Sequence, residues 1–552
     1  MKLKAFNIGV SYLCMLLLCT QLDAQVTIGS GYYPIQGSLL DLKEQNTLNE
    51  NSKRGLLLPR VALKDIVKMD PCISSDEATT ELKNSHIGLT VYNVTDSLIV
   101  GLCPGAYVWE GTHWTRLPEP CGPPPAPLNS SNCYIVASGS ESEEIPASRA
   151  YIASESRADL TPLDRSHKVS LQVLWQDTPS LIDKVELIGG DKGYNSTFKV
   201  KTNSGKDGNA LIALHVGPNG NNSDPITWSW HIWVTDYDPN SVSPDNYGPN
   251  TVNNSTVYKH KNGDKDYVFM DRNLGATNTS SSDINSMGMT YQWGRKDPFT
   301  SANGNWTQNV RTLYSYPDNT PLEEINEVLP GGGTQPSGNG IKHAIPPSGS
   351  SNLGISIQNP MTFYHGSYIK GNNLLFDWYS GDDIGSISDN ELWGTASEKS
   401  IFDPCPAGWR VPAYNGDNSP WHPYKTEDDG WGWGGGNVAG FSIISGKGFS
   451  FDGNTSRTQL GYYPAGLSRA ARSYFVGGGV GDNDSHPSTV GGGFYIIGYE
   501  NERIEAHYWT STFSDNTKAK LMNLGVGIMG NSEVNEVLSP KATGASVRCV
   551  KE

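Results

Sequence analysis

Two cysteines far apart in the sequence constrain the fold more than any other feature. Cys405 opens the segment Cys-Pro-Ala-Gly-Trp-Arg-Val-Pro, and Cys549 lies in Ser-Val-Arg-Cys-Val. Each has an Arg and a Val nearby, and the residues between them are rich in Gly and Trp. In an exported protein such a pair is most simply explained by one disulfide that closes a long loop. We expect its loss to cost on the order of 4 kcal/mol.

The N-terminus has the pattern of a secretory signal. Lys2 and Lys4 precede the apolar run Ile8–Leu18, and Ala24 offers a small residue at a cleavage point. The run is shorter than the roughly 20 residues that a membrane-spanning helix needs, and no later segment is apolar enough to be one. A lipid anchor on Cys19 is the alternative, although a bulky leucine precedes that cysteine. We therefore expect an exported protein that is either secreted or associated with the cell surface and outer membrane.

Length and charge narrow the class of protein. A chain of 552 residues is too long for one core, and three domains are expected. A net charge of −16 argues against nucleic acid and anionic membrane as partners. Few charged residues with many Gly, Trp and Tyr favour a β-rich, loop-rich extracellular protein.

The domain organisation follows from composition and strand patterns. Short apolar runs broken by Gly and Pro predict short strands in the first mature module. Repeated Pro in residues 118–127 excludes helix and central strand, which indicates an extended spacer. The predicted fold is mainly β and multidomain. The predicted divisions are a signal peptide (1–24), an N-terminal β-rich module (25–117), a Pro-rich linker (118–131), a β-sandwich-like middle module (132–235) and a C-terminal α+β domain with long loops (236–552).

Period-two alternation predicts the strands of the middle module. The segments are Lys168–Trp175, Thr197–Thr202, Asn209–Val216 and Ile226–Val234. The last of these puts Trp228 and Trp230 on one face and Trp233 on the other. A strand with aromatic side chains on both faces is expected to be covered on both sides, so we interpret these Trp as core or interface residues and not as a sugar platform.

The C-terminal region opens with a predicted hairpin, Val257–Met270, whose Asn262-Gly263 step suits a tight turn. Together with Tyr508-Trp509-Thr510-Ser511-Thr512 and the two cysteine segments, this region resembles the Fibrobacter-type major paralogous domain of bacterial surface proteins. The resemblance implies a C-type-lectin-like fold and a place on the cell surface. Trp409, Arg410, Trp509 and Arg548 are then expected to serve the fold.

The first module resembles the N-terminal modules of exported Bacteroidetes-type surface proteins, which are themselves similar to phage tail-fibre segments. The motifs are Gly37–Leu42, Arg54–Arg60, Gly88–Asn93 and Tyr107–Trp114. The resemblance implies a stalk or assembly role. A generic β-rich spacer is the alternative.

Six cysteines remain after removal of the signal, and an even number favours disulfides. Besides Cys405 with Cys549, we predict Cys72 with Cys103 and Cys121 with Cys133, on proximity alone. No Cys/His spacing typical of a structural zinc site occurs.

A Gly- and Trp-rich loop is the candidate ligand-binding site. Aromatic rings can stack on sugar faces or on an apolar partner surface, and carboxylates can accept hydroxyl hydrogen bonds. The alternative is that these Trp hold the loop on its own domain. The candidate residues are Trp421, Tyr424, Asp428, Asp429, Trp431 and Trp433.

Metal and enzyme chemistry have weaker signals. Asp482 and Asp484 lie in a Gly-flanked loop and could hold a hard cation such as calcium, although a solvated loop is the simpler interpretation. Calcium-dependent lectins carry Asn-Asp after the Trp of the late strand, whereas this chain has Thr510-Ser511. No metalloprotease or hydrolase motif occurs, so we expect no cofactor and no enzyme.

Three functions stay open at this point. The first is a non-enzymatic adhesin or surface-appendage subunit, such as a fimbrial tip, that recognises other subunits, a host or bacterial surface protein, or a glycan. The second is a carbohydrate-binding protein of a glycan-capture system. The third is an enzyme on a fold similar to sulfatase-modifying enzymes, which the use of both C-terminal cysteines in a disulfide argues against.

Overall fold

The fold is mainly β, with short helices. The computed structural model describes residues 26–117, 131–464 and 505–552, apart from 29, 34–39, 47–51, 54–55, 75–76, 98–99, 101, 191–192, 282, 301–310, 324–325, 329–333, 337–339, 345, 348–349, 365–367, 370–372, 375–376, 382–386, 415–420, 422–440, 445–447, 454–457 and 527–531. Two compact units divide the chain. The N-terminal unit is Met1–Asp96 with Leu102–Pro120, and the C-terminal unit is Cys121–Glu552 with Ser97–Gly101. The division falls within the predicted Pro-rich linker.

The N-terminal unit consists of two separate sheets. A parallel pair of strands, β1 and β2, precedes a four-stranded sheet in the order β3-β4-β5-β6. Thr79 caps helix α1, the one helix among the described residues of this unit, by accepting a hydrogen bond from the amide of Leu82. The elements are β1 (Val26–Ile28), β2 (Leu40–Leu42), β3 (Arg60–Val61), α1 (Thr80–Ser85), β4 (Thr90–Asn93), β5 (Gly105–Trp109) and β6 (Trp114–Leu117).

One face of the four-stranded sheet carries the small core of this unit. Trp109 and Trp114 lie opposite each other on β5 and β6, with ring centroids 5.4 Å apart in an edge-to-face arrangement. Each indole N–H donates to a backbone carbonyl, that of Lys83 or Lys68, so neither buried donor lacks an acceptor. Leu63, Met69, Val91, Leu102 and Tyr107 complete the buried apolar set.

The described residues of the C-terminal unit form the remaining strands and two short helices. In chain order they are β7 (Cys133–Val136), β8 (Ile145–Pro146), α2 (Ser148–Glu155), β9 (Lys168–Gln176), β10 (Ile182–Ile188), β11 (Thr197–Thr202), β12 (Gly208–Gly217), β13 (Ile226–Val234), β14 (Gly248–Val252), β15 (Ser255–Asn262), β16 (Lys265–Met270), β17 (Met289–Gln292), β18 (Phe299–Thr300), β19 (Asn326–Val328), β20 (Thr334–Pro336), β21 (Lys342–Ala344), α3 (Leu353–Gln358), β22 (Thr362–Tyr364), β23 (Tyr368–Ile369), β24 (Asn373–Leu374), β25 (Trp409–Arg410), β26 (Phe441–Ile444), β27 (Gly448–Phe451), β28 (Gly461–Pro464), β29 (Glu505–Phe513), β30 (Lys518–Val526), β31 (Ser532–Pro540), β32 (Gly544–Ser546) and β33 (Val550–Lys551). Gly193–Asn195, Pro239–Ser241 and Ile284–Ser286 form single 3-10 turns.

The four strands predicted for the middle of the chain are confirmed as β9, β11, β12 and β13. They build a four-stranded sheet, β7-β13-β12-β9, and a three-stranded sheet, β10-β11-β8. Trp230 of β13 meets Phe198 of β11 with ring centroids 4.9 Å apart, so side chains of the two sheets pack together. Every residue of β12 is buried, which explains why its sequence is apolar almost throughout.

The predicted boundary between residues 235 and 236 does not coincide with a break in packing. Gln176 of β9 and Tyr314 exchange two backbone hydrogen bonds, of 3.1 and 2.8 Å. Trp228 of β13 packs against Phe402, with ring centroids 5.5 Å apart. One continuous apolar core runs from Cys133 to Cys549. Residues 131–235 therefore share their core with the residues that follow them.

Two larger sheets depend on strands from distant parts of the sequence. The five-stranded sheet has the order β14-β15-β16-β33-β25, and the six-stranded sheet has the order β18-β17-β32-β29-β30-β31. The predicted hairpin is confirmed as β15 and β16, but its turn lies one residue later than expected. Asn262 pairs with Lys265, so Gly263 and Asp264 form the turn, with Gly263 at a φ of 58°.

Candidate assembly surface

Trp421 is the only predicted ligand-binding residue whose position the structure describes, and it is 2% exposed. Its indole N–H donates to the Tyr463 hydroxyl over 3.3 Å, and its ring lies 5.2 Å from that of Phe269. A ring buried in this way holds the start of the loop on the domain and offers no face to a ligand. Tyr424, Asp428, Asp429, Trp431 and Trp433 lie outside the described residues, and their role stays a prediction.

The metal prediction is not tested by the described part of the chain. Asp482 and Asp484 lie outside it. Within it, no group of three or more His, Cys, Asp or Glu side chains is placed to hold a metal ion. Calcium binding by the 482–484 loop stays a prediction.

The interpretation of the middle-module tryptophans is confirmed. Trp228, Trp230 and Trp233 are fully buried, so both faces of β13 are covered. Trp409, Arg410, Trp509 and Arg548 are buried as well. Arg548 donates to Asn273 Oδ1 from two of its nitrogens, over 3.0 and 2.8 Å, and so supports the fold.

The cysteine predictions are partly confirmed and partly wrong. Cys405 and Cys549 form a disulfide, with Cα atoms 6.1 Å apart and a sequence separation of 144. Cys72 and Cys133 are free thiols, which excludes both Cys72–Cys103 and Cys121–Cys133. Cys103 is disulfide-bonded, but to a cysteine outside the described residues. The predictions failed because they assumed that cysteines near in sequence are near in space. Cys133 starts a buried core strand, and Cys72 lies in an exposed turn.

One buried polar cluster of the C-terminal unit surrounds His231. The His231 ring shares hydrogen bonds with Asn209 Oδ1 over 2.9 Å and with the Tyr291 hydroxyl over 3.1 Å. Burial lowers the pKa of His231 to about 3, so the ring is neutral at pH 7. In the only tautomer that satisfies both partners, Nε2–H donates to Asn209 and Nδ1 accepts from Tyr291. This arrangement stabilises the core.

A second buried cluster surrounds Lys296. Its ammonium donates to the hydroxyl of Ser229 and, over 2.6 Å, to Asp297 Oδ1, and it lies 4.7 Å from the centre of the Trp228 ring. Burial lowers the pKa of Lys296, whereas Asp297 favours its charged form. Lys296 is only 3% exposed. The Lys296 ammonium links the segment that follows β17 to Ser229 of β13. Because it is buried, a substrate has no access to it.

The surface of the N-terminal unit differs from that of the C-terminal unit. Of the seventeen large apolar side chains that are exposed in the described part of the chain, twelve lie between Ile28 and Leu117. Scattered exposed apolar residues are ordinary, but a concentration on one small unit marks an interaction surface. The twelve are Ile28, Tyr32, Tyr33, Leu40, Leu42, Leu56, Leu57, Val67, Ile87, Tyr92, Val94 and Leu117.

These residues form two groups along the chain. The first group lies among the described residues of the range 26–57, and we call these described residues the assembly segment. The second includes the outer face of the four-stranded sheet, where Tyr92, Ala106 and Leu117 stand opposite one another on β4, β5 and β6. Apolar runs in the sequence predicted short strands here, and the resemblance implied a stalk or assembly role with a β-rich spacer as the alternative, but the exposed side chains were not identified. The alternation Leu40-Asp41-Leu42 and the run Leu56-Leu57-Leu58 were the available signals.

Comparison with known proteins agrees with the character of this surface. Residues 27–132 match the family model of the phage tail like trimerisation region. No curated protein and no solved structure matches the chain. The match indicates a surface or appendage-type protein that associates with further copies or with other subunits. In the residues that the structure describes, no helix is both long enough and apolar enough to cross a membrane.

Proposed function

We propose that this protein is an exported, non-enzymatic subunit of a surface appendage, which self-associates through its N-terminal unit and presents its C-terminal unit as a head. One observation carries the proposal. The exposed apolar side chains are concentrated on the unit that matches a trimerisation region. Removing such side chains from water is the main driving force for association between proteins.

The C-terminal unit is the part that would be displayed. We propose that it belongs with the Fibrobacter-type major paralogous domains and acts as an adhesin. The disulfide between Cys405 and Cys549, and the burial of Trp409, Trp509 and Arg548, support this assignment. A cross-linked unit with a large core suits a head that works outside the cell.

Recognition would depend on the loops of this head, including the residues after Trp421. Carbohydrate binding through Trp431 and Trp433 stays the second possibility, and a glycan array with the mature chain tests it. Binding that disappears with Trp431→Ala or Trp433→Ala would make the head a lectin. A blank array with a folded, oxidised chain would direct the search to protein partners.

Sedimentation equilibrium on the mature chain, residues 25–552, tests self-association. We expect a species of three times the chain mass, with a monomer appearing only on dilution. A chain that stays monomeric at roughly 100 μM, a concentration far above the Kd of typical specific complexes, would refute self-association and leave only other subunits as partners.

A further inference from the structure

We propose that the assembly segment, residues 26–57, is the surface through which copies of this chain associate, and that its partner is the same segment of neighbouring copies. This inference rests on the self-association proposed above and assigns it to particular residues.

The assembly segment has no core of its own. No described apolar side chain before Leu63 is buried, whereas Tyr33 is 91% exposed and Leu57 is 86% exposed. Residues 60–117, by contrast, bury two Trp and other apolar side chains beneath their sheet. Apolar side chains that are left exposed within their own chain can gain stability by packing against another polypeptide.

The pairing of β1 with β2 collects the apolar side chains on one face. The strands are parallel, with Val26 opposite Leu40 and Ile28 opposite Leu42. Side chains alternate along a strand, so Leu40 and Leu42 lie on the same face of β2, and Ile28 stands beside Leu42 on that face. Ile28, Leu40 and Leu42 are exposed on that face.

This pair is too small to be stable without a further layer. It consists of two strands of three residues each, and in the described part of the chain they pair only with one another. Independent stability needs three or more strands with a covered apolar face, or packing against another element. A neighbouring copy can supply both missing parts, the cover for the face and a partner for a strand edge.

Lys43, which directly follows the β1–β2 pair, already has hydrogen-bond partners within one chain. Lys43 follows β2 on the side opposite Leu42 and is 2% exposed. Its ammonium donates to the carbonyl of Tyr33 over 2.7 Å and to Asn46 Oδ1 over 3.2 Å, and its amide donates to the carbonyl of Ile28 over 3.2 Å. The single chain therefore fixes the orientation of the pair and leaves the apolar face open.

The same segment is the partner that best fits this face. The described side chains of this face, Ile28, Leu40 and Leu42, are aliphatic, so an aliphatic and uncharged counterpart fits them, and a second copy provides one. In a closed ring of identical copies, the same apolar face of each copy can pack against those of its neighbours around the symmetry axis. The segment also lies almost wholly within the residues that match a trimerisation region.

The outer face of the four-stranded sheet is the competing surface. Tyr92 and Leu117 are exposed there, but Ala106 between them is small and half-buried. The opposite face of this sheet carries a core, so the sheet is stable in a single copy. This face therefore supplies a matched control.

The experiment compares two double variants of the mature chain by sedimentation equilibrium. Leu40→Asp with Leu42→Asp should raise the dissociation constant by about 100-fold or more, because each Leu otherwise buried at the interface is replaced by a charge. Tyr92→Asp with Leu117→Asp should leave it within about threefold, a difference below 1 kcal/mol. All four side chains are exposed in the single chain, so neither variant removes a core residue.

The outcomes separate this inference from the proposed function. Association lost only in the Leu40/Leu42 variant supports the inference. Association lost only in the Tyr92/Leu117 variant overturns it but keeps self-association. Association lost in both variants overturns the claim that the interface is restricted to residues 26–57. A monomeric parent chain refutes self-association itself. Unchanged circular dichroism and an unchanged melting temperature of the C-terminal unit confirm that each variant is folded.

Discussion

Replacing Cys405 and Cys549 with Ala should lower the melting temperature of the C-terminal unit by about 5 to 6 °C. The disulfide closes a loop of 144 residues. In the chain-entropy treatment, a loop of that length contributes about 5 kcal/mol by restricting the unfolded chain. An unfolding entropy of about 2 cal/mol/K per residue, over residues 121–552, gives about 0.9 kcal/mol per degree. Dividing the lost free energy of about 5 kcal/mol by about 0.9 kcal/mol per degree gives the expected fall in melting temperature.

Local hydrogen bonds should keep the native geometry when the bond is removed. The Cys405 amide donates to Asp403 Oδ1 over 2.8 Å, and the Cys549 carbonyl accepts from the Met270 amide over 3.1 Å. Neither interaction needs the disulfide. The loss should therefore act mainly on the unfolded state, and the double variant should keep its native circular dichroism while melting earlier.

Differential scanning calorimetry of the parent chain, the Cys405/Cys549 double variant and a Cys133→Ala variant measures the fall in melting temperature. Cys133→Ala is the matched control, since it removes a buried thiol without removing a cross-link. Subtracting twice its effect corrects the double variant for lost packing. A corrected shift below about 1 °C, or a large loss of native circular dichroism before heating, would refute the entropic reasoning.

Three further predictions concern the C-terminal unit and the free thiols. Unfolded His takes up a proton at a pKa of about 6.5, whereas folded His231 resists protonation down to a pKa of about 3, so the free energy of unfolding should fall as pH drops from 6.5 towards 3. Urea titrations at pH 7, 5.5 and 4.5 should show a smaller fall for His231→Gln, and an equal fall would contradict the assignment. Iodoacetamide should modify Cys72 in the folded protein and Cys133 only after denaturation, as peptide mapping would show; early labelling of Cys133 would contradict its burial. Trp421→Ala should lower the free energy of unfolding by about 3 to 5 kcal/mol, since a buried ring is removed. Chemical denaturation measures this loss, and a change below 1 kcal/mol would show that Trp421 does not anchor the loop.

Strand positions in the C-terminal unit followed from the sequence because alternation is a local property. Thr197–Thr202 and Ile226–Val234 were predicted with the bounds that the structure has. Aromatic side chains on both faces of Ile226–Val234 also predicted that both faces of this strand are covered. The alternation did not reveal what covers each face. Phe402 packs on Trp228 from 174 positions further along the chain, and no pattern near Trp228 encodes that contact.

Sites that depend on which atoms meet in space were predicted less well. Cys405 and Cys549 were paired correctly, because they were the only cysteines of a large region. The pairings proposed for Cys72 and Cys133 rested on sequence distance and were wrong. In the assembly segment, short apolar runs predicted strands but did not show which side chains the chain leaves exposed.

The positions of β32 and β33 have a consequence for the synthesis of the protein. β33 lies between β16 and β25, with Val550 opposite Phe269, and β32 lies between β17 and β29. Neither large sheet can close until residues 544–551 have left the ribosome. A product that stops earlier would expose the edges of β16 and β17, which are ready templates for aggregation and sites for proteolysis. The two short strands thus protect, from the far end of the sequence, edges that form hundreds of residues earlier in synthesis.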